Sequence, residues 1–398
     1  MNLNGLKLLS SRAINKLGDV LYDYGNSTWI ASMGSLGQKF LGIYQIAELL
    51  VSIVLNPFGG ALADRFKRRK ILLVTDGLCA IICLGISFIG NTQLLLYGLI
   101  AANVVLAISS AFSGPAYKSY IPEVVDKTDI VTYNSNLETV VQIIKVSSPV
   151  VGFFIFNHLG IRLTLVIDAL TFFLSFLCLY AIKLETEEEV EPTNKTLAAK
   201  AIATDILEGF TYIKKEKEIF FLLVIAALVN TFIAMFNYLL PFTNHLFKDS
   251  SAYASLLSLA AVGSIIGALF ARKVKNSMSS LLWMLAFSGL GMMVISLSPL
   301  LNIPVWLSYS GNLLFEGFLT IFNIHFFSQV QLRVAKAYMG RVISTIFTVA
   351  ILFMPLGTLT MTLLPVALSV TSFMVLGSAI FLMSMLALIY VRRNFSQS

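Results

Sequence analysis

Hydrophobic residues in this chain come in long unbroken blocks, not in the alternation of a half-buried strand or the three-and-four spacing of a surface helix. Apolar runs of about 18 to 25 residues recur from end to end, each enough to cross about 30 Å of hydrocarbon at 1.5 Å per helical residue. Lipid offers the backbone no hydrogen bonds, so only helices or closed barrels span it, and these runs lack the alternation of barrel strands. The pattern predicts helical spans at 11–32, 40–62, 71–90, 94–114, 134–156, 162–182, 218–241, 251–271, 280–300, 304–327, 341–364 and 368–390. Between the sixth and seventh the composition turns to acid, Glu185 through Glu191, then Pro192 and a Lys/Glu stretch to Glu218. This reads as a solvated linker carrying a short amphipathic helix over Leu197–Lys214. The expectation is an all-α membrane protein of twelve transmembrane helices: a six-helix lobe (1–182), a cytoplasmic linker (183–217) and a second six-helix lobe (218–398), with the lobes rocking about a central cavity.

Composition adds the solvent. With 57% hydrophobic and 12% charged residues and a mean hydropathy of +0.83, the chain is excluded from the water-soluble classes. Charge adds the orientation. With both termini inside, 24 of the 28 basic residues fall on the inner side, while Lys39, Arg162 and Lys248 lie outside and Lys145 lies within the fifth span. The net charge of +7 is therefore a topology signal and not a nucleic-acid surface. Cys79, Cys83 and Cys178 sit inside apolar runs with no CxxC or Cys/His cluster, so disulfides, metal sites and cofactors are not expected. No phosphate-binding glycine loop or nucleophile elbow appears, which argues against an enzyme. The amino terminus lacks a cleavable-signal pattern, so the first span is expected to be retained.

After the second span comes Gly59-Gly60-Ala61-Leu62-Ala63-Asp64-Arg65-Phe66-Lys67-Arg68-Arg69-Lys70. A positive-inside anchor accounts for the basic residues but needs neither the glycine, the acid nor the spacing. The stretch closely resembles the G-x-L-A-D-R-x-G-R-K signature joining helices 2 and 3 in the major facilitator superfamily, with Lys67 in place of glycine and Arg69 in place of lysine. The resemblance implies a conformational gate of Gly60, Asp64, Arg65, Arg68 and Arg69 that locks the outward-facing state. Gly60 would admit a close neighbouring helix, and Asp64 would accept hydrogen bonds from free N–H groups at a helix start. The second half carries an echo, Gly267-Ala268-Leu269-Phe270-Ala271-Arg272-Lys273, without the acid.

Three further stretches resemble the drug-exporter branch that includes macrolide and siderophore (enterobactin-type) exporters. They are Ser113-Gly114-Pro115-Ala116 with Tyr120-Ile121-Pro122-Glu123, then Ser147-Ser148-Pro149-Val150-Val151-Gly152, and Tyr338-Met339-Gly340-Arg341-Val342, which adds Gly340 and Arg341 to the gate. The fourth span reads Ala101-Ala102-Asn103-Val104-Val105-Leu106 and lacks the buried arginine that many drug/proton antiporters carry there.

Charges inside the spans are few. A charge on a lipid face costs about 2.5 to 3.5 kcal/mol by insertion scales, so such residues are expected to face a cavity or a partner. Asn15, Asp19, Tyr22, Asp23 and Asn26 recur at threes and fours along the first span and predict one wet face. Its two carboxylates, one turn apart, repel, so one of them is expected to exchange protons near neutral pH. Glu48 in the second span lies at a similar depth to Asp23. Glu138, Gln142 and Lys145 share a face of the fifth span, and Lys145 is expected to pair with an acid of the first or second. Asn312 and Glu316 share a face of the tenth span. Asp76 and Asp168 read as hydration or packing devices.

Together these features predict a monomeric transporter in a bacterial plasma membrane, exporting amphipathic, drug-like small molecules by alternating access, with protons as the coupling ion and the lipid bilayer as solvent. A uniporter or symporter for a specific metabolite, peptide or lipid is the alternative within transport. A non-transporting sensor or immunity protein is the alternative of another class.

Overall fold

A computed structural model describes residues 2–63, 66–126, 128–183, 199–335, 339–364 and 368–394, and every regular element among them is helical. The chain divides into two compact units, Met1–Ala203 and Thr204–Ser398. The first holds α1 (Leu3–Ala31), α2 (Gly34–Ala63), α3 (Arg68–Ser87), α4 (Thr92–Val124) and α5 (Ile130–Tyr180), and α6 (Ala199–Lys215) runs from its end into the second. The second continues with α7 (Lys217–Leu239), α8 (Thr243–Leu246), α9 (Ala252–Ala271), α10 (Met278–Val294), α11 (Leu297–Leu301), α12 (Val305–Arg333), α13 (Met339–Leu352), α14 (Met354–Leu363) and α15 (Val370–Asn394).

Nine helices among the described residues are long and apolar enough to cross a bilayer. α5 is one of them, but its 51 residues carry two predicted spans joined at Gly160, whose φ of 72° and ψ of 177° break the helix. α1 falls short because Lys16, Asp19 and Asp23 interrupt its apolar run, and α10 has only 17 residues. Every predicted span thus falls on helix, although two are broken. The ninth divides into α10 and α11, where Pro299 has no N–H to bond back to Ile295, and the eleventh into α13 and α14, where Pro355 ends the ladder at Ile351. The acidic linker over 184–198 lies outside the described residues, while the expected amphipathic helix forms as α6.

Three helix starts are set by side chains that satisfy free N–H groups. Asn2 accepts from Gly5 N–H at 2.7 Å, Asn91 from Leu94 N–H at 3.0 Å and Ser277 from Ser280 N–H at 3.2 Å. The packing order recurs in the two units. α2 lies on α4 as α9 lies on α12, α3 on α4 and α5 as α10 on α12 and α15, and α1 on α5 as α7 on α13 and α14. Even one staple repeats: Asn103 of α4 donates to the Tyr44 carbonyl of α2 at 3.0 Å, and Asn312 of α12 to the Leu256 carbonyl of α9 at 2.8 Å. The first unit's core centres on Leu8, Leu72, Tyr117, Tyr120, Tyr133 and Leu179, and the second's on Phe236 with its neighbours Phe315 and Phe373.

Candidate functional site

At about 100° per residue, Asn15, Asp19, Tyr22 and Asn26 fall within an arc of about 60° on α1, and Asp23 lies about 40° beyond its edge. That offset decides where each side chain goes. α1 packs chiefly on α5, so much of the arc turns inward: Tyr22, at the edge away from Asp23, is 1% exposed and Asn26 0%. Asn15 donates to Asp76 Oδ1 of α3 at 3.1 Å. Asp19 is half-buried and pairs with Lys16 at 3.7 Å. Asp23 alone of the five is exposed. The single wet face expected from the spacing is therefore corrected: most of it is the lobe's own interior, and one carboxylate emerges at its margin.

Glu48 of α2 is exposed as well and lies within electrostatic reach of Asp23. Its Oε2 accepts from Asn103 Nδ2 at 3.4 Å, so the amide standing in the arginine-free fourth span is what α4 offers this carboxylate. The expected ion pair of Lys145 does not form. Lys145 is exposed on α5 and makes no ion pair among the described residues. Glu138, also exposed, accepts from Gln142 Nε2 at 2.6 Å. In the second unit Asn312 is buried at 0% exposure as the α9–α12 staple, and Glu316 is half-buried on the same helix.

Of the gate residues, Arg68 forms an ion pair with Glu123 at the end of α4, and Arg69 donates to the Leu179 and Tyr180 carbonyls at the end of α5. These contacts stay within the first unit and join the signature loop to the Tyr120–Glu123 stretch. Asp64 and Arg65 lie outside the described residues, as do the side-chain surroundings of Gly60, Gly340 and Arg341.

A buried polar ladder between α1 and the second half of α5 was not foreseen. Ser11 pairs with Ser175 at 2.8 Å, and Ser175 donates to Asp76 Oδ2 at 2.5 Å. A Cβ at Gly18 would lie 2.0 Å from Thr171 Oγ1 and 2.8 Å from Asp168 Oδ1, and one at Gly25 would lie 2.8 Å from Thr164 Cγ2. Asp168 is 0% exposed. Small residues that bring backbones together and polar side chains that bond across are the means by which helices associate in lipid. The signal was present in the matched spacings Ser11-Asn15-Gly18-Tyr22-Gly25 and Thr164-Asp168-Thr171-Ser175, which run antiparallel to each other.

Two lobes of repeated helix packing, with isolated carboxylates on otherwise apolar helices, define a polytopic membrane carrier and no catalytic centre. Residues 27–358 match the family described as the Major Facilitator Superfamily, and the chain belongs to it. It is 23% identical over 368 residues to macrolide efflux protein A of Streptococcus pyogenes, covering 88% of this chain and 84% of that one. It is 28% identical over 221 residues to the uncharacterized MFS-type transporter YfiS of Bacillus subtilis (strain 168), and there the match spans half of the relative's length. Among solved structures, the inward-facing bacterial homologue of the iron transporter ferroportin superposes with a TM-score of 0.76 at 15% identity, covering 98% of this chain and 99% of that chain. The D-xylose-proton symporter does so with a TM-score of 0.70 at 12% identity, covering 97% of each. The chain is thus a transporter and not an enzyme.

Proposed function

We propose that the protein exports amphipathic, drug-like small molecules across a bacterial plasma membrane by alternating access, with protons as the coupling ion. The observation that carries the reading is the exposed pair Asp23 and Glu48 on neighbouring apolar helices, with Asn103 behind Glu48. Two like charges within reach repel, and a proton or a cationic substrate arriving beside them relieves that repulsion. Exchange of the one for the other is the elementary step of an antiporter. The name of the macrolide-exporting relative supports a bulky amphipathic cargo. In this reading Glu138, Gln142 and Lys145 in the first lobe and Asn312 and Glu316 in the second complete the polar lining, and the segments at 60–69 and 340–341 act as gates.

Export of a macrolide from proteoliposomes, driven by an imposed pH gradient, tests it. Collapse of the gradient should stop transport, and Asp23→Asn or Glu48→Gln should lower the rate about tenfold or more with an unchanged melting temperature. Macrolide flux that persists without a gradient removes the coupling. The neutral Asn103 where antiporters of the resembling branch carry arginine favours a second reading, a uniporter or symporter of a metabolite, which the same assay separates by its indifference to macrolides.

A further inference from the structure

Apart from the Asp23 and Glu48 pair, the first unit contains a cleft of about 600 Å³ between α1, α2, α4 and α5. Two cations line it, Arg12 from α1 and Lys118 from α4. Neither makes an ion pair among the described residues, and both belong to the inner side of the basic-residue asymmetry. Arg12 is not loose: its guanidinium lies 5.1 Å from the Tyr117 ring centroid, and that tyrosine is itself fixed by a 2.5 Å hydrogen bond to Tyr133. Asn56 and Asn134 add amide donors from α2 and α5. Glu138 is the cleft's carboxylate, and Gln142 already donates to its Oε1. Among the residues that line the cleft, two cations stand against one acid, with two amides beside them, in a space larger than a simple counter-ion needs.

We propose that this cleft binds a phosphate group carrying one negative charge, held by Arg12 and Lys118 and oriented by the two asparagines. A planar guanidinium held against an aromatic face presents its N–H fork to tetrahedral oxygens, and a flexible ammonium adds a second point of charge. Positive-inside lysines and arginines that only set topology need no cavity, no aromatic shelf and no converging amides. The cleft shares Glu138 with the polar lining assigned above, but the proposal rests on Arg12 and Lys118, which the transport reading does not use, so its failure leaves that reading standing.

Two sources supply such a group, free phosphate in the cytosol and the headgroup of an anionic lipid. Melting of the full-length protein in a neutral detergent, at constant ionic strength, separates them, with inorganic phosphate in one arm and dihexanoyl phosphatidylglycerol in the other. Saturable stabilisation over chloride is expected in at least one arm, with apparent affinity about tenfold weaker in Arg12→Gln and in Lys118→Gln and unchanged in Lys39→Gln. Response to phosphate alone identifies a soluble ligand, and response to the lipid alone a headgroup. Arg12→Gln also loses the contact with Tyr117 and could lower stability by itself, whereas Lys118 is exposed and its replacement disturbs no packing. Stabilisation by neither probe, or equal stabilisation of wild type and Lys118→Gln, overturns the proposal.

Discussion

Asn103 serves two helices at once, donating to the Tyr44 carbonyl and to Glu48. Replacement by leucine should lower stability by about 0.6 to 1 kcal/mol, the usual worth of such a bond in membrane and soluble proteins, and should slow transport more than that loss accounts for. Thermal melting beside the flux assay measures the two effects separately. Half-buried in a predicted outer loop, Asp249 follows α8. Burial pushes its carboxyl up, but hydrogen bonds from Tyr309 at 2.5 Å and from the N–H and hydroxyl of Ser251 outweigh burial and hold it below the ordinary aspartate value of 3.8. A carboxyl lowered by folding adds stability that is fully present above its unfolded value and is lost as the pH falls through its folded one. Wild type and Tyr309→Phe should therefore differ by about 1 kcal/mol near neutral pH and converge as the medium is acidified below 3.8, in melting curves taken across that range. A difference that persists in acid would assign the tyrosine a packing role only.

At the scale of helices, the signature glycines and prolines explain one another. Pro115 has no N–H, which leaves the Ala111 carbonyl without its intrahelical donor, and Gly59 of α2 meets that carbonyl so closely that a Cβ would lie 2.1 Å from it. In the second unit a Cβ at Gly267 would lie 2.2 Å from the Gly317 carbonyl. Gly267→Val should force α9 off α12 and cost about 1 to 3 kcal/mol, read as a fall in melting temperature, whereas Gly85→Ala, with nothing within 4 Å, should melt as wild type. Block length made most spans legible, because a bilayer dictates the length of whatever crosses it. What block length hides is breakage: Pro299 and Pro355 were visible, yet their effect depends on whether neighbouring helices close over the freed carbonyls. The wet face of α1 was misread for a related reason. Threes and fours show which residues share a side but not whether that side meets water or α5, and the answer required reading the Thr164 to Ser175 spacing at the same time.

For the whole molecule, Lys39 and Arg162 should be reached from outside and Lys214 from inside. Single cysteines at these positions, labelled in intact cells with an impermeant thiol reagent, check it: modification at 39 and 162 before lysis, and at 214 only after, is the expected outcome, and the reverse would invert the chain. The membrane class, the signature loop and the shared depth of Asp23 and Glu48 were readable from residues alone, whereas the partner of Asn15 was not, since Asp76 comes from α3, two helices further along the chain. The contacts of Arg68 and Arg69 carry a mechanical consequence. One anchors the start of α3 to the foot of α4 and the other to the foot of α5. A tug on that loop is thereby shared among three rods, and the force goes into turning the bundle as a block and not into bending any one of them.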